Sequence, residues 1–234
     1  DAPGGSVVAN DVSTGNHPRL AAMRYSTEGY GANTLTSLHG HSMPCAMCVV
    51  DATTDIITVT GSTACPDNYA REYYGWTMGS HYSHKRQETI CVSVDAVASP
   101  HDITSGHPAL IYPSEMDGTY GSHSHNGEIT CAVCSRCVGA DCPAPPSTGD
   151  ADDVNEAEAE QRQRINASAP LVHAPQPGTT FIEWGVNQCS NAETNVETLY
   201  VGYAASAKNN HQGGPIDVEC IPDNGAREEG MSRH

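Results

Sequence analysis

The chain has 234 residues, with 11 Lys plus Arg against 28 Asp plus Glu and a formal net charge of −17. Phosphate binding needs clustered cations, so nucleic acid is excluded as a partner, as is insertion at an anionic membrane surface. No apolar run approaches the ~18 residues of a membrane helix. Apolar residues make up 38% of the chain with a single Phe, a modest core inventory that ten cysteines are placed to supplement. An even cysteine count spread through matched segments predicts a secreted protein with about five bridges, though not their connectivity. The chain opens at Asp1 without Met or signal peptide and reads as a mature, processed form.

Residues 1–23 are rich in Gly, Ser, Asn and Pro and predict loop or extended chain. From Arg24 to Cys48, short polar and aromatic runs are punctuated by Gly. Ile56–Thr60 is β-branched throughout and predicts a strand. Glu72–Met78, which alternates with aromatics, and Thr89–Val94, with Ile90, Val92 and Val94 on one face, predict two more. Ala109–Tyr112, Glu128–Val133, Thr179–Trp184, Glu197–Tyr203 and Ile216–Ile221 continue the series. The Pro- and Ala-rich stretch 138–178 holds the one predicted helix, near 151–165. Asp150, Asp152, Asp153 and Glu156 at its start and Arg162 and Arg164 at its end suit the helix dipole. Its apolar stripe, Val154, Ala157 and Ile165, is thin and fits a solvated spacer.

Two kinds of segment occur twice. Tyr73-Tyr74-Gly75-Trp76, between Cys65 and Cys91, matches Tyr200-Val201-Gly202-Tyr203, between Cys189 and Cys220. Tyr25-Ser26-Thr27-Glu28, leading to Cys45-Ala46-Met47-Cys48, matches Tyr112-Pro113-Ser114-Glu115, leading to Cys131-Ala132-Val133-Cys134. The expected fold is therefore mainly β: two pseudo-repeated, disulfide-stapled, loop-rich units with one spacer helix. Residues 1–50 form a half-unit, 51–137 an intact unit, 138–178 a linker, and 179–234 a second half-unit. A half-unit cannot bury its apolar face alone, so 179–234 must find a Cys-x-x-Cys segment in its own N-terminus or in a neighbouring molecule.

The runs Thr180–Gly185, Tyr200–Ala205 and Cys220-Ile221-Pro222 join Met43–Cys48, Tyr74–Met78, Ser80-His81-Tyr82-Ser83-His84-Lys85-Arg86 and Thr130–Cys134 in a wider likeness. Together they resemble the cysteine-containing, non-collagenous domain of sponge short-chain (spongin-type) collagens, which has secreted relatives in molluscs and cnidarians. The likeness covers roughly residues 24–137 and 179–222. It implies an extracellular, matrix-type protein and no catalytic residues. The chain departs from that family in lacking a Gly-X-Y run and in placing the Trp184 segment last.

Cys45, Cys48, Cys65, Cys91, Cys131, Cys134, Cys137, Cys142, Cys189 and Cys220 are read as disulfide partners, two bridges to each unit, with Cys137 and Cys142 left over. A tetrathiolate zinc site from the two Cys-x-x-Cys pairs is the alternative, with thioredoxin-like chemistry a weaker one. The close pairs His39/His41, His81/His84 and His123/His125 are candidate transition-metal ligands, set against a reading as polar loop residues. No EF-hand spacing exists, so calcium would be bound weakly. Repeat-equivalent aromatics read as core, with a carbohydrate platform as the alternative. Asn166-Ala167-Ser168 is an N-glycosylation sequon. Hydrolase, zincin, P-loop and dinucleotide motifs are absent, and the chain is read as no enzyme. The functional expectation is a secreted structural glycoprotein that self-associates head to tail through its half-repeats, with other matrix proteins or glycans as further partners. The alternative is a soluble secreted binding module for metal ions or glycans.

Overall fold

The computed structural model describes residues 20–28, 33–50, 53–100, 102, 108–118, 125–137, 178–190, 196–207 and 216–222. Ten strands follow in chain order: β1 Leu20–Tyr25, β2 Pro44–Val50, β3 Thr53–Thr60, β4 Tyr69–Gly79, β5 Ile90–Ser93, β6 Ala109–Pro113, β7 Thr130–Cys137, β8 Thr179–Trp184, β9 Val196–Ala207 and β10 Glu219–Pro222. One helical turn, α1 Asn33–Thr36, lies between β1 and β2. The protein is mainly β, as its β-branched runs predict. The helix expected near 151–165 lies outside the described residues.

Seven strands close a barrel in the order β4-β5-β8-β2-β9-β1-β6, with β6 returning to β4 at Met78–Pro113 and Gly79–Tyr112. β7 and β3 extend the sheet from β4, and β10 pairs with β9. Most pairs are antiparallel, with β1–β6 and β5–β8 parallel. Met23, Tyr25, Met43, Met78, Val92, Ile111, Trp184 and Ala204 pack into one buried cluster. Val50, Tyr73, Val133, Phe181 and Val196 pack into a second.

One refinement and one correction to the sequence reading arise here. Of the stretch read as loop or extended chain, residues 20–23 are extended and already belong to a strand, because β1 is held by β9 on one stretch and by β6 on the next. β10 starts at Glu219 instead of Ile216, which is 62% exposed and precedes the pairing with β9.

Two glycines set the curvature. Gly202 of β9 faces Cys45 of β2 on one side and Pro222 of β10 on the other. Gly75 of β4 faces Cys131 of β7 and Ser93 of β5. A Cβ at Gly202 would lie 1.9 Å from the Ile221 carbonyl oxygen, and one at Gly75 would lie 1.8 Å from that of Val92. Only a residue without a side chain lets the flanking backbone come so near. Gly75→Ala and Gly202→Ala are each expected to destabilise the protein by about 1–3 kcal/mol or more, since backbone and not side chain must yield. Gly79→Ala, whose Cβ meets a Thr89 hydroxyl at 3.3 Å, should cost less. Denaturant midpoints under non-reducing conditions measure all three; equal midpoints would contradict the crossing geometry.

Candidate functional site

The N- and C-terminal parts of the chain meet at β2. It lies between β8, from Cys45–Trp184 to Val50–Thr179, and β9, from Pro44–Tyr203 to Val50–Val196. Both of its faces are buried, so it carries little of the polar alternation that marks a half-exposed strand. Successive strand residues point to opposite faces, so cysteines three apart do too. Cys45 joins the first buried cluster and bonds to Cys220; Cys48 joins the second and bonds to Cys189. In β7 the same spacing sends Cys131 to Cys91 and Cys134 to Cys65. The zinc tetrathiolate is overturned, because all four of its sulfurs are in disulfides. The Cys137 side chain and Cys142 lie outside the described residues, as do Asn166 and His123.

These bridges link residues 175, 141, 69 and 40 positions apart. Loops of such length restrict the unfolded chain by roughly 4–5 kcal/mol each in the chain-entropy picture, though overlapping loops do not add.

Polar groups reinforce the meeting of β8 with the central strands. The buried Tyr73 hydroxyl lies 2.9 Å from the Cys91 carbonyl and 3.1 Å from that of Ile182, tying β5 to β8. Glu183 is fully buried in β8. Its carboxylate accepts the Ser190 N–H and hydroxyl, each at 2.6 Å, and a hydrogen bond from Ser93. Burial nevertheless pushes its carboxyl above the usual range, against the pull of these donors. A second buried carboxylate, Glu72, accepts from Ser135. Sequence reading missed both; Glu183 carried a signal, an acidic residue between apolar neighbours in Ile182-Glu183-Trp184, whereas Glu72 follows Arg71 and carried none.

The histidines divide. His39 Nδ1 accepts the Thr27 and Glu28 N–H groups at 3.1 and 3.0 Å, which commits that nitrogen to a turn. His41 Nδ1 lies 2.8 Å from Asp102, whose other oxygen accepts the Ser42 N–H. The Ser42 N–H, then His41, hold the Asp102 carboxyl below its ordinary range. His125 Nδ1 accepts the Gly118 N–H at 2.9 Å. Among the described histidines of these pairs, His81 and His84 alone come together, their ring centres 5.1 Å apart, and Tyr112 closes on both at 5.2 and 5.7 Å. Burial, then the neighbouring His81, pushes the His84 imidazole below its usual range. Among the described residues, no group of three or more His, Cys, Asp and Glu is arranged to hold a metal ion.

Of the repeat-equivalent aromatics, Tyr73 and Trp184 are buried and Trp76 and Tyr200 partly so, which fits the core reading. Tyr74 is 36% exposed under the Arg71 guanidinium, 4.6 Å from its ring centre.

No protein-family model, no curated protein and no solved structure matches the chain. Among the described residues, no helix is long and apolar enough to cross a membrane. The four disulfides among the described residues indicate an oxidising environment.

Glu183 makes stability depend on pH. Its raised carboxyl keeps a proton in the folded state that the unfolded chain has already lost, so stability falls as pH rises through that window. Glu183→Gln removes this titration while keeping an acceptor for Ser190. The unfolding free energy of the variant, relative to the native protein, should therefore rise with pH from the ordinary carboxylate range upward. A difference independent of pH would contradict the assignment.

Proposed function

We propose that this is a secreted structural protein that associates head to tail by exchanging its two ends. The observation that carries the proposal is the seating of β2 between β8 and β9 under two disulfides, Cys45–Cys220 and Cys48–Cys189. The N-terminal and C-terminal segments are complementary pieces, and the residues that join them are far apart in sequence.

An internal repeat is supported by matching neighbours. β9 pairs with β2 and β1 along one edge and with β10 along the other; β4 pairs with β7 and β6, and with β5. β8 lies beside β2 as β3 lies beside β7. The bridges match as well, Cys45–Cys220 with Cys91–Cys131 and Cys48–Cys189 with Cys65–Cys134. On this reading one unit is continuous and the other is assembled from both ends of the chain.

The contacts that close one molecule can equally join two, because residues 138–178 carry the chain from β7 to β8. An exchange of β8–β10 between molecules is heterologous and need not close, so it produces a linear polymer. A tether of about forty residues holds the two ends of one molecule at an effective concentration on the order of millimolar. Closure therefore wins in dilute solution and exchange in a concentrated secretion, with oxidation fixing whichever partner is found. The resemblance to spongin-type domains, the acidic charge whose self-repulsion a salt-rich fluid would screen, and the sequon at Asn166 fit an extracellular matrix glycoprotein.

Closure within one chain also favours a second reading, a soluble binding module for metal ions or glycans. Oxidative refolding separates the two. At micromolar protein the product should run as a monomer on non-reducing denaturing gels. Near millimolar protein it should give a ladder that collapses on reduction. Monomer at every concentration would remove the polymer and leave the binding module.

A further inference from the structure

We infer that His81 and His84 form a two-imidazole site for a divalent transition-metal ion, with copper(II) bound most tightly. They occupy the segment between β4 and β5, where the His84 N–H donates to the His81 carbonyl at 2.8 Å and closes a turn. The turn sets residues three apart side by side. An ion about 2.0–2.1 Å from one nitrogen of each ring holds the ring centres roughly 4.5–5 Å apart for angles from square-planar to tetrahedral. The two centres here are 5.1 Å apart, so this spacing exists before any ion arrives.

One tautomer of His81 makes the nitrogens available in the required form. His81 Nδ1 lies 2.8 Å from the Ser83 hydroxyl, and a proton donated there leaves Nε2 with its lone pair. Such a second partner commonly orients a metal-bound imidazole. The competing Ser83 N–H contact is longer, at 3.3 Å. His84 Nδ1 is buried with no hydrogen-bond partner, and coordination would satisfy it.

The position is anchored. Tyr112, which walls the third side, pairs with Gly79 where β6 closes the barrel on β4. Tyr82 lies tilted against His81, with ring centres 4.2 Å apart, and is itself 93% exposed, which places His81 at the protein surface. Lys85 and Arg86 follow directly. Their charge disfavours a hard cation held by electrostatics alone and selects an ion that gains from nitrogen ligands, which is why copper is expected over calcium.

The intact oxidised protein, titrated with copper(II) and followed by calorimetry and electron paramagnetic resonance, tests this. One ion per chain with nitrogen hyperfine structure is expected at this site. His81→Ala or His84→Ala should weaken it by roughly ten- to a hundredfold, at least what loss of an outer-shell partner costs. Ser83→Ala should weaken it less, and His125→Ala should leave it unchanged. Circular dichroism and the non-reducing gel position check that each variant is folded. Copper bound equally by the His81→Ala/His84→Ala double variant, or no ion bound by the native protein at equimolar copper, would overturn the assignment.

Discussion

Two disulfides that each span an intervening strand constrain the rest of this structure. Cys45 lies opposite Gly202 and Cys220 opposite Ala204, on the two sides of β9. Cys131 lies opposite Gly75 and Cys91 opposite Thr77, on the two sides of β4. In a flat sheet, strands two positions apart are about 9.5 Å apart, beyond the reach of a disulfide. Here the bridged Cα atoms are 5.9 and 5.7 Å apart. The sheet must therefore fold sharply over β9 and β4, and a glycine at each crossing removes the side chain that would prevent it. That curvature turns an extended sheet into a closed barrel with both faces of β2 buried.

The consequence for function is that β8–β10 do not make a stable piece alone. Phe181, Trp184 and Val196 pack with residues of β2 and with Tyr73 or Val92 of the central strands. Removing β2 would expose both clusters at once and leave Cys189 and Cys220 without partners. In the proposed polymer the same complementarity joins molecules, with protein concentration during oxidation selecting between closure and exchange. The proposed histidine site is independent of that choice, since His81, His84 and Tyr112 all belong to the continuous central part of the chain.

Much of the fold was legible because several of its strands obey local rules. Ile56–Thr60, Glu72–Met78 and Glu197–Tyr203 are β-branched or aromatic runs bounded by turn residues, and each falls within a strand. β1 was not legible: Leu-Ala-Ala-Met-Arg-Tyr has no β-branched residue, and its extended form is imposed by β9 and β6. β2 was hidden for the opposite reason, since burial on both faces erases alternation. The Cys-x-x-Cys spacing was visible, and a period of two already sends its sulfurs to opposite faces. Their partners were not visible, because they come from pairings of strands far apart in sequence. The His81–His84 pair was likewise visible as a pair, yet it is brought together by a turn and not by strand alternation. Tyr112 reaches it through barrel closure, which no local pattern encodes.

Disulfide mapping of the native protein, digested without reduction and read by mass spectrometry, tests the central claim most directly. Linked peptides carrying Cys45–Cys220, Cys48–Cys189, Cys65–Cys134 and Cys91–Cys131 are the predicted result. Bridges inside the motifs, Cys45 to Cys48 and Cys131 to Cys134, would contradict it, because neither would draw the flanking strands across the glycines.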